Sequence, residues 1–166
     1  NIPIEFENST KQLPDSINFL EMEKIGKVEQ LNILNRWNTN DSTESLRAEI
    51  GVDENGDYMY LDLHEKFHGP HGLIAGTTGS GKSEFIITYV LSLSINYSPE
   101  DVSFILIDYK GGGLALAFEN KTTGIYLPHL AGTITNLDKA EMDRTLVSIT
   151  SESKRRQTIF NEAREK

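Results

Sequence analysis

Gly76-Thr77-Thr78-Gly79-Ser80-Gly81-Lys82-Ser83 is the stretch of this chain whose residue types and spacing together specify chemistry. It satisfies the pattern G-x-x-x-x-G-K-[ST] in full. It lies between a short apolar run, Leu73 to Ala75, and an amphipathic segment with Phe85, Ile86, Tyr89, Val90 and Leu93 on one side, the context that pattern requires. Glycines let the backbone wrap so that successive N–H groups turn inward, making a nest for phosphate oxygens at the positive end of the following helix. The Lys82 ammonium adds a full charge to bridge β- and γ-phosphates, and the Ser83 hydroxyl is of the kind that ligates magnesium on the same oxygens. ATP or GTP is the expected ligand, with Mg2+ beside it and Lys82 as the catalytic side chain. The competing reading, a flexible turn, leaves a lysine among backbone donors with no anion to offset its charge.

Turnover of such a ligand needs an aspartate for the hydrated magnesium and a glutamate or equivalent to align water. Asp108 is the internal candidate. It ends the apolar run Phe104-Ile105-Leu106-Ile107, and ligands bind at the carboxyl ends of parallel strands. The next residues are Tyr109 and Lys110 rather than an acid, so a water-aligning group would come from elsewhere. Two roles stay open to Asp108: a magnesium ligand, or a strand-terminal acid that pairs with Lys110 or caps the turn Gly111-Gly112-Gly113. His64, His68, His71 and His129 have no carboxylate or further histidine at fixed spacing, and read as solvated or hydrogen-bonded rather than as metal ligands. Lys154-Arg155-Arg156 reads as a solvated helix face, the alternative being a base offered to a nucleotide in an adjoining subunit.

The loop needs elements to hold it. After the breaker-rich passage His68-Gly69-Pro70-His71-Gly72, short apolar runs alternate with helical segments. The pattern predicts a strand at Leu73 to Ala75, a helix over Gly81 to Tyr97, and a strand at Val102 to Ile107 covered on both faces. A further strand follows at Leu130 to Thr135. A last helix opens with Asp138 and Glu141 at capping-box spacing and carries Met142, Leu146, Ile149, Phe160 and Ala163. Alternating strands and helices predict an α/β fold, a parallel sheet with flanking helices joined by right-handed crossovers. Three strands are too few to complete such a fold, so residues 68–166 are expected to be the N-terminal part of a larger nucleotide-binding domain.

Residues 1–67 read as an extension to it. Amphipathic helices are expected at Ser16 to Glu23 and at Lys27 to Trp37, the second with Val28, Leu31, Leu34 and Trp37 at helical spacing. The alternation Leu46, Ala48, Ile50 and then Tyr58, Tyr60 about Asp53-Glu54-Asn55-Gly56 predicts a β-hairpin.

With 166 residues, 37% apolar and 25% charged, the chain suits one globular domain that buries roughly 70% of its unfolded surface. The absence of cysteine excludes thiol nucleophiles, thiolate metal sites and disulfides. No apolar run approaches the roughly 20 residues of a membrane-spanning helix, and the first residues lack a signal peptide's apolar core. The chain alone is expected neither to insert into a membrane nor to be exported. A net charge of −9 disfavours a nucleic-acid backbone as partner. The acidity belongs to residues 1–63, with 13 acids against 5 bases, while residues 139–166 carry 7 bases against 5 acids.

GTTGSGKSE (Gly76 to Glu84), FILIDYKGGG (Phe104 to Gly113) and LPHLAGTITNL (Leu127 to Leu137) resemble the FtsK/SpoIIIE family of hexameric ATPases. They look most like its membrane-anchored type VII secretion branch, because DYKGGG stands where the DNA translocases have aspartate-proline-lysine. FLEM (Phe19 to Met22) and LRAEIGVDENGDYMYLDL (Leu46 to Leu63) point the same way. The resemblance covers nearly the whole chain and is closest to the first of three tandem ATPase modules. It implies a RecA/FtsK-like P-loop fold, a nucleotide cradle running from Gly76 through Glu84, and a cytoplasmic location in a membrane-anchored protein. The implied partners are the other ATPase modules of the same chain, further copies in a hexamer, secretion-system membrane components and WXG-type helical-hairpin substrates, with DNA disfavoured.

In this family the magnesium aspartate and its glutamate neighbour form an Asp-Glu pair on a later strand, and no such pair follows Leu137 here. The resemblance therefore implies that these residues bind ATP without hydrolysing it efficiently. It makes Asp108 and Lys110 supporting residues near the γ-phosphate or at a subunit contact, with Asp108 kept as a second metal-ligand candidate after Ser83. Three rivals stand beside this reading: a DNA translocase of the same family, a regulatory module that holds nucleotide, and a small-molecule kinase, for which no acceptor-binding constellation is visible.

Overall fold

The computed structural model describes residues 16–108, 113–135 and 139–164. They form two compact units, one up to Phe104 and one from Ile105.

In the first unit the Asn18 side chain accepts the Glu21 N–H at 2.9 Å, and the Glu21 carboxylate accepts the Asn18 N–H at 3.1 Å. This capping box starts α1 (Phe19–Met22), a shorter helix than the Ser16 to Glu23 expected. The helix predicted over Lys27 to Trp37 is interrupted. Val28–Leu31 form a 3-10 turn, Asn32 takes the left-handed conformation at φ 51°, and α2 (Ile33–Thr39) begins afresh. Asparagine visits that conformation more readily than most residues with a Cβ. The break puts the four apolar side chains out of phase, so Leu31 is buried and Trp37 half-buried while Val28 and Leu34 stay exposed.

The hairpin forms as predicted. β1 (Arg47–Val52) pairs antiparallel with β2 (Tyr58–Asp62), with a register shift between Glu49 and Gly51. Its turn is organised by Asp53, whose carboxylate accepts the Asn55 and Asp57 N–H groups at 2.8 and 2.9 Å, while Gly56 supplies the left-handed residue at φ 81°.

One face of the hairpin lies on α3 (Lys82–Asn96). Ala48 of β1 is fully buried against Leu93 and Tyr97, and Leu46, Tyr89, Val102 and Phe104 close around them. Burial along α3 is asymmetric: Ser92 to Asn96 are all buried, whereas Lys82 to Tyr89 are half-buried or exposed. The helix is thus anchored at its C-terminal end and presents its N-terminal end, with the glycine-rich loop, to solvent.

Leu73 to Ala75, expected as a strand, form none, and Leu73 is 94% exposed. A strand needs neighbours for its backbone N–H and C=O groups, and the two strands of the first unit's hairpin pair with each other.

β3 (Phe104–Asp108), all but its first residue in the second unit, is followed there by a 3-10 turn at Ala115–Ala117 and a small hairpin, β4 (Glu119–Asn120) and β5 (Ile125–Tyr126). The sequence pattern gave no expectation of this hairpin. Its turn rests on Asn120, whose side chain accepts the Thr122 and Thr123 N–H groups at 3.1 and 3.2 Å, and on Gly124 at φ 69°. β6 (Leu130–Thr135) keeps the predicted bounds and lies beside β3 in a parallel sheet, and α4 (Lys139–Arg164) follows it. Coverage of β3 on both faces is not observed: Leu106 is buried, but Ile105 and Ile107 are exposed, as are Leu146, Ile149 and Phe160 of α4. Asp138 of the expected capping box lies outside the described residues. No helix among the described residues is long and apolar enough to cross a membrane.

Candidate functional site

The glycine-rich loop is built within the first unit and lies on its surface. Gly79 and Gly81 adopt φ values of 79° and 85°, which residues with a Cβ rarely adopt. At Gly76 the constraint is space, since a Cβ there would stand 2.5 Å from Ser80 Oγ. The Ser80 N–H turns back to the Thr77 carbonyl at 3.2 Å, and the Phe85 N–H starts the ladder of α3 on the Gly81 carbonyl at 2.9 Å. Lys82, Ser83 and Glu84 therefore occupy the first turn of α3, where N–H groups have no preceding intrahelical carbonyl and the helix dipole is positive.

Lys82 joins the two ends of the loop. Its Nζ donates to the Gly76 and Thr77 carbonyls at 2.7 and 2.6 Å and lies 3.5 Å from Ser80 Oγ. Hydrogen bonds from an ammonium to charged phosphate oxygens are stronger than those to neutral carbonyls, so an arriving phosphate competes well for this group. Ser83 and Glu84 lie on the same turn, at the solvent-facing end of the helix. Amide donors, one ammonium and one hydroxyl suit a polyphosphate with a divalent ion, and the loop's residues fit that group.

Asp108 belongs to the second unit, where it is half-buried and its Oδ2 accepts the Leu114 N–H at 3.4 Å. A bond to the backbone just after the glycine run is the type that a capping role requires. Lys110 lies outside the described residues.

Four of the other candidates are engaged locally. His68 Nδ1 accepts the Asp62 N–H at 3.0 Å, and His64 Nδ1 accepts the Lys66 N–H at 3.2 Å. Arg155 and Arg156 both donate to Glu152, at 2.7 and 2.8 Å, on an exposed face of α4, and these bonds hold the Glu152 carboxyl down to about 2. A groove of about 470 Å³ in the second unit is lined by Ile105, Thr133, Thr135, Arg144, Ser148 and Ile149. None of the sequence-derived site residues borders it.

Sequence reasoning missed how the loop's helix is anchored. Trp37 Nε1 donates to the Ser94 carbonyl at 3.0 Å, and the Asn40 amide donates to the Asn96 carbonyl at 2.8 Å. Asp62 was missed as well. It is buried at the end of β2 and accepts hydrogen bonds from Ser45 Oγ at 2.7 Å, Leu46 N–H at 2.9 Å and His64 N–H at 3.0 Å. Burial pushes its carboxyl up, but the donated bonds together outweigh this and hold it below the ordinary aspartate value. Trp37 at least stood out as an apolar residue at helical spacing. Asn40 carried no signal, because in sequence an amide that caps another helix looks the same as one in water.

Known proteins share this sequence over most of its length. The type VII secretion system protein EssC of Staphylococcus aureus is 51% identical over 159 residues, which are 96% of this chain and 10% of EssC. The ESX secretion system protein YukB of Bacillus subtilis is 48% identical over 155 residues, 92% of this chain and 10% of YukB. The chain therefore spans about a tenth of the length of these relatives. Among solved structures, the cytoplasmic domain of the Thermomonospora curvata type VII secretion ATPase EccC matches with a TM-score of 0.73 at 34% identity, over 87% of this chain and 17% of that one. The expected α/β P-loop fold is borne out by this likeness. The FtsK/SpoIIIE pattern matches residues 31–166, and this chain belongs to the FtsK/SpoIIIE family.

Proposed function

We propose that this chain is an ATP-binding part of a type VII secretion ATPase that drives export of WXG-type helical-hairpin substrates. The observation that carries the reading is the Lys82 ammonium drawn over the loop by the Gly76 and Thr77 carbonyls, beside the first turn of α3. Gly76 to Glu84 would hold the triphosphate through backbone donors, and Lys82 would exchange its carbonyl partners for phosphate oxygens. Ser83 would hold Mg2+, with Asp108 as the second candidate. The ion, when bound, neutralises charge on the phosphate oxygens. The role assigned to these residues is to hold ATP rather than to turn it over efficiently.

The same reading gives the chain a place on the cytoplasmic side of a membrane-anchored protein. Its partners are the other ATPase modules, further copies in a hexamer and the membrane components of the secretion system. A net charge of −9 favours this over a DNA translocase. Calorimetric titration of MgATP into the protein tests the reading: saturable heat with one nucleotide per module is expected, and no heat at any concentration overturns it.

Gly76→Ala separates loop geometry from charge. The added methyl meets Ser80 Oγ, so the Ser80 side chain must turn away from its place in the loop while Lys82 and its charge remain. MgATP affinity is expected to fall about tenfold, equivalent to about 1.4 kcal/mol. The thermal midpoint should move by less than about 3 °C because the site is exposed. Unchanged affinity in the titration contradicts the close packing of Gly76 on Ser80.

A further inference from the structure

We propose that α2 is a positioning element for the phosphate-binding loop: Trp37 and Asn40 cap the far end of α3 and thereby set the affinity of the cradle at its near end. The inference rests on the nucleotide-binding reading above and adds to it a control point outside the loop.

The last four carbonyls of a helix have no intrahelical partner. In α3 two of them, Ser94 and Asn96, are satisfied by side chains of another element, the Trp37 indole at 3.0 Å and the Asn40 amide at 2.8 Å. The Asn96 side chain is itself gripped from two sides. Arg36 donates to its Oδ1 at 2.9 Å, and its Nδ2 donates to Glu49 Oε2 at 2.8 Å. Arg36 is in turn fixed by the Leu31 carbonyl at 3.0 Å and by Glu23 at 2.7 Å, whose side chain is almost wholly buried. Residues from α2 and β1 thus converge on one turn of α3, with Glu23 at the end of α1 bracing them.

Toward the other end, Lys82 to Tyr89 are half-buried or exposed. A helix of 15 residues is about 22 Å long, so a small tilt at the anchored turn becomes a larger displacement at the loop. Loosening the anchor lowers the fraction of molecules whose loop amides are correctly placed, and apparent affinity falls in proportion to that fraction. Linkage makes the effect reciprocal: a ligand that orders the loop must strengthen the docking of α2 by the same factor.

The test uses the whole protein with MgATP as the probe. Hydrogen exchange of the α2 amides, residues 33–39, is followed with and without nucleotide, and affinity is measured for wild type, Trp37→Phe, Asn40→Ala and Asn40→Gln. Saturating MgATP is expected to slow exchange in α2 about fivefold, within the usual range of coupling. Trp37→Phe, which keeps a ring and loses the N–H, and Asn40→Ala should each bind MgATP about fivefold more weakly. Asn40→Gln, which retains an amide donor, should recover part of the loss.

If wild type binds MgATP while α2 exchange stays the same and both variants keep wild-type affinity, the positioning role is wrong and the nucleotide reading stands. Variants that melt earlier but bind normally also overturn the positioning role, since α2 would then be structural only. If wild type does not bind MgATP at all, both readings fall. The exchange experiment on wild type needs no variant to fold.

Discussion

Lys82→Ala is expected to weaken MgATP binding by about 100-fold or more, with the thermal midpoint left within about 2 °C of wild type. Hydrogen bonds to charged groups contribute about 1.5–3 kcal/mol each, and a 100-fold loss corresponds to about 2.7 kcal/mol, so loss of one or two ammonium–phosphate contacts accounts for it. Stability is spared because the partners Lys82 has now, the Gly76 and Thr77 carbonyls, belong to exposed residues that water can serve instead. Lys82→Arg should also bind weakly, since a planar fork does not replace a compact ammonium reaching into a small loop. Calorimetry checks both, and wild-type affinity in Lys82→Ala would remove the ground for the proposed function. In the full-length protein the same variant distinguishes two roles. A motor module loses ATP turnover along with export, whereas a regulatory module loses control of export while turnover elsewhere continues.

Replacing Asp62 by alanine is expected to lower stability by about 3 kcal/mol, near the top of the range for single substitutions. Asp62 is 3% exposed, and its carboxylate serves Ser45 Oγ and the Leu46 and His64 N–H groups. Truncation leaves these donors without that acceptor, at about 1–3 kcal/mol for each buried group that finds no other. The dependence on pH has a definite sign. Because the folded carboxyl titrates below its ordinary value of 3.8, the ionised form favours the native state. That contribution is complete above the ordinary value and is lost as pH falls through the folded one. Urea unfolding should therefore give a constant gap between wild type and Asp62→Ala from about pH 6 to 8, and a gap that narrows below about pH 4. A gap independent of pH down to acid unfolding would show that Asp62 matters for packing alone.

The geometry of the glycine-rich loop was legible because its requirements are local. Gly79 and Gly81 adopt left-handed values that glycine takes without strain, Gly76 makes room for Ser80, and Lys82 lies within six residues of the carbonyls it holds. The β1–β2 hairpin was legible for the same reason, since Asp53 and Gly56 build their turn from bonds within five residues. Strand β6 and the span of α3 also follow from short-range pattern.

Other features turn on which surfaces meet. The spacing of Val28, Leu31, Leu34 and Trp37 is that of one continuous helix, and nothing local forbids it. The left-handed turn at Asn32 instead accompanies an α2 that sets Trp37 and Asn40 against the last turn of α3. Leu73 to Ala75 have the composition of a strand, yet a strand exists only where a neighbour takes its backbone bonds.

Residue types thus settled the conformation of the loop and the turns beside it, because backbone conformation and charge are properties of a few adjacent residues. The anchoring of the loop's helix came from bonds between residues 56 and 57 positions apart. Whether an asparagine or an aspartate meets water or a buried donor depends on how distant segments pack, and a linear pattern does not record that.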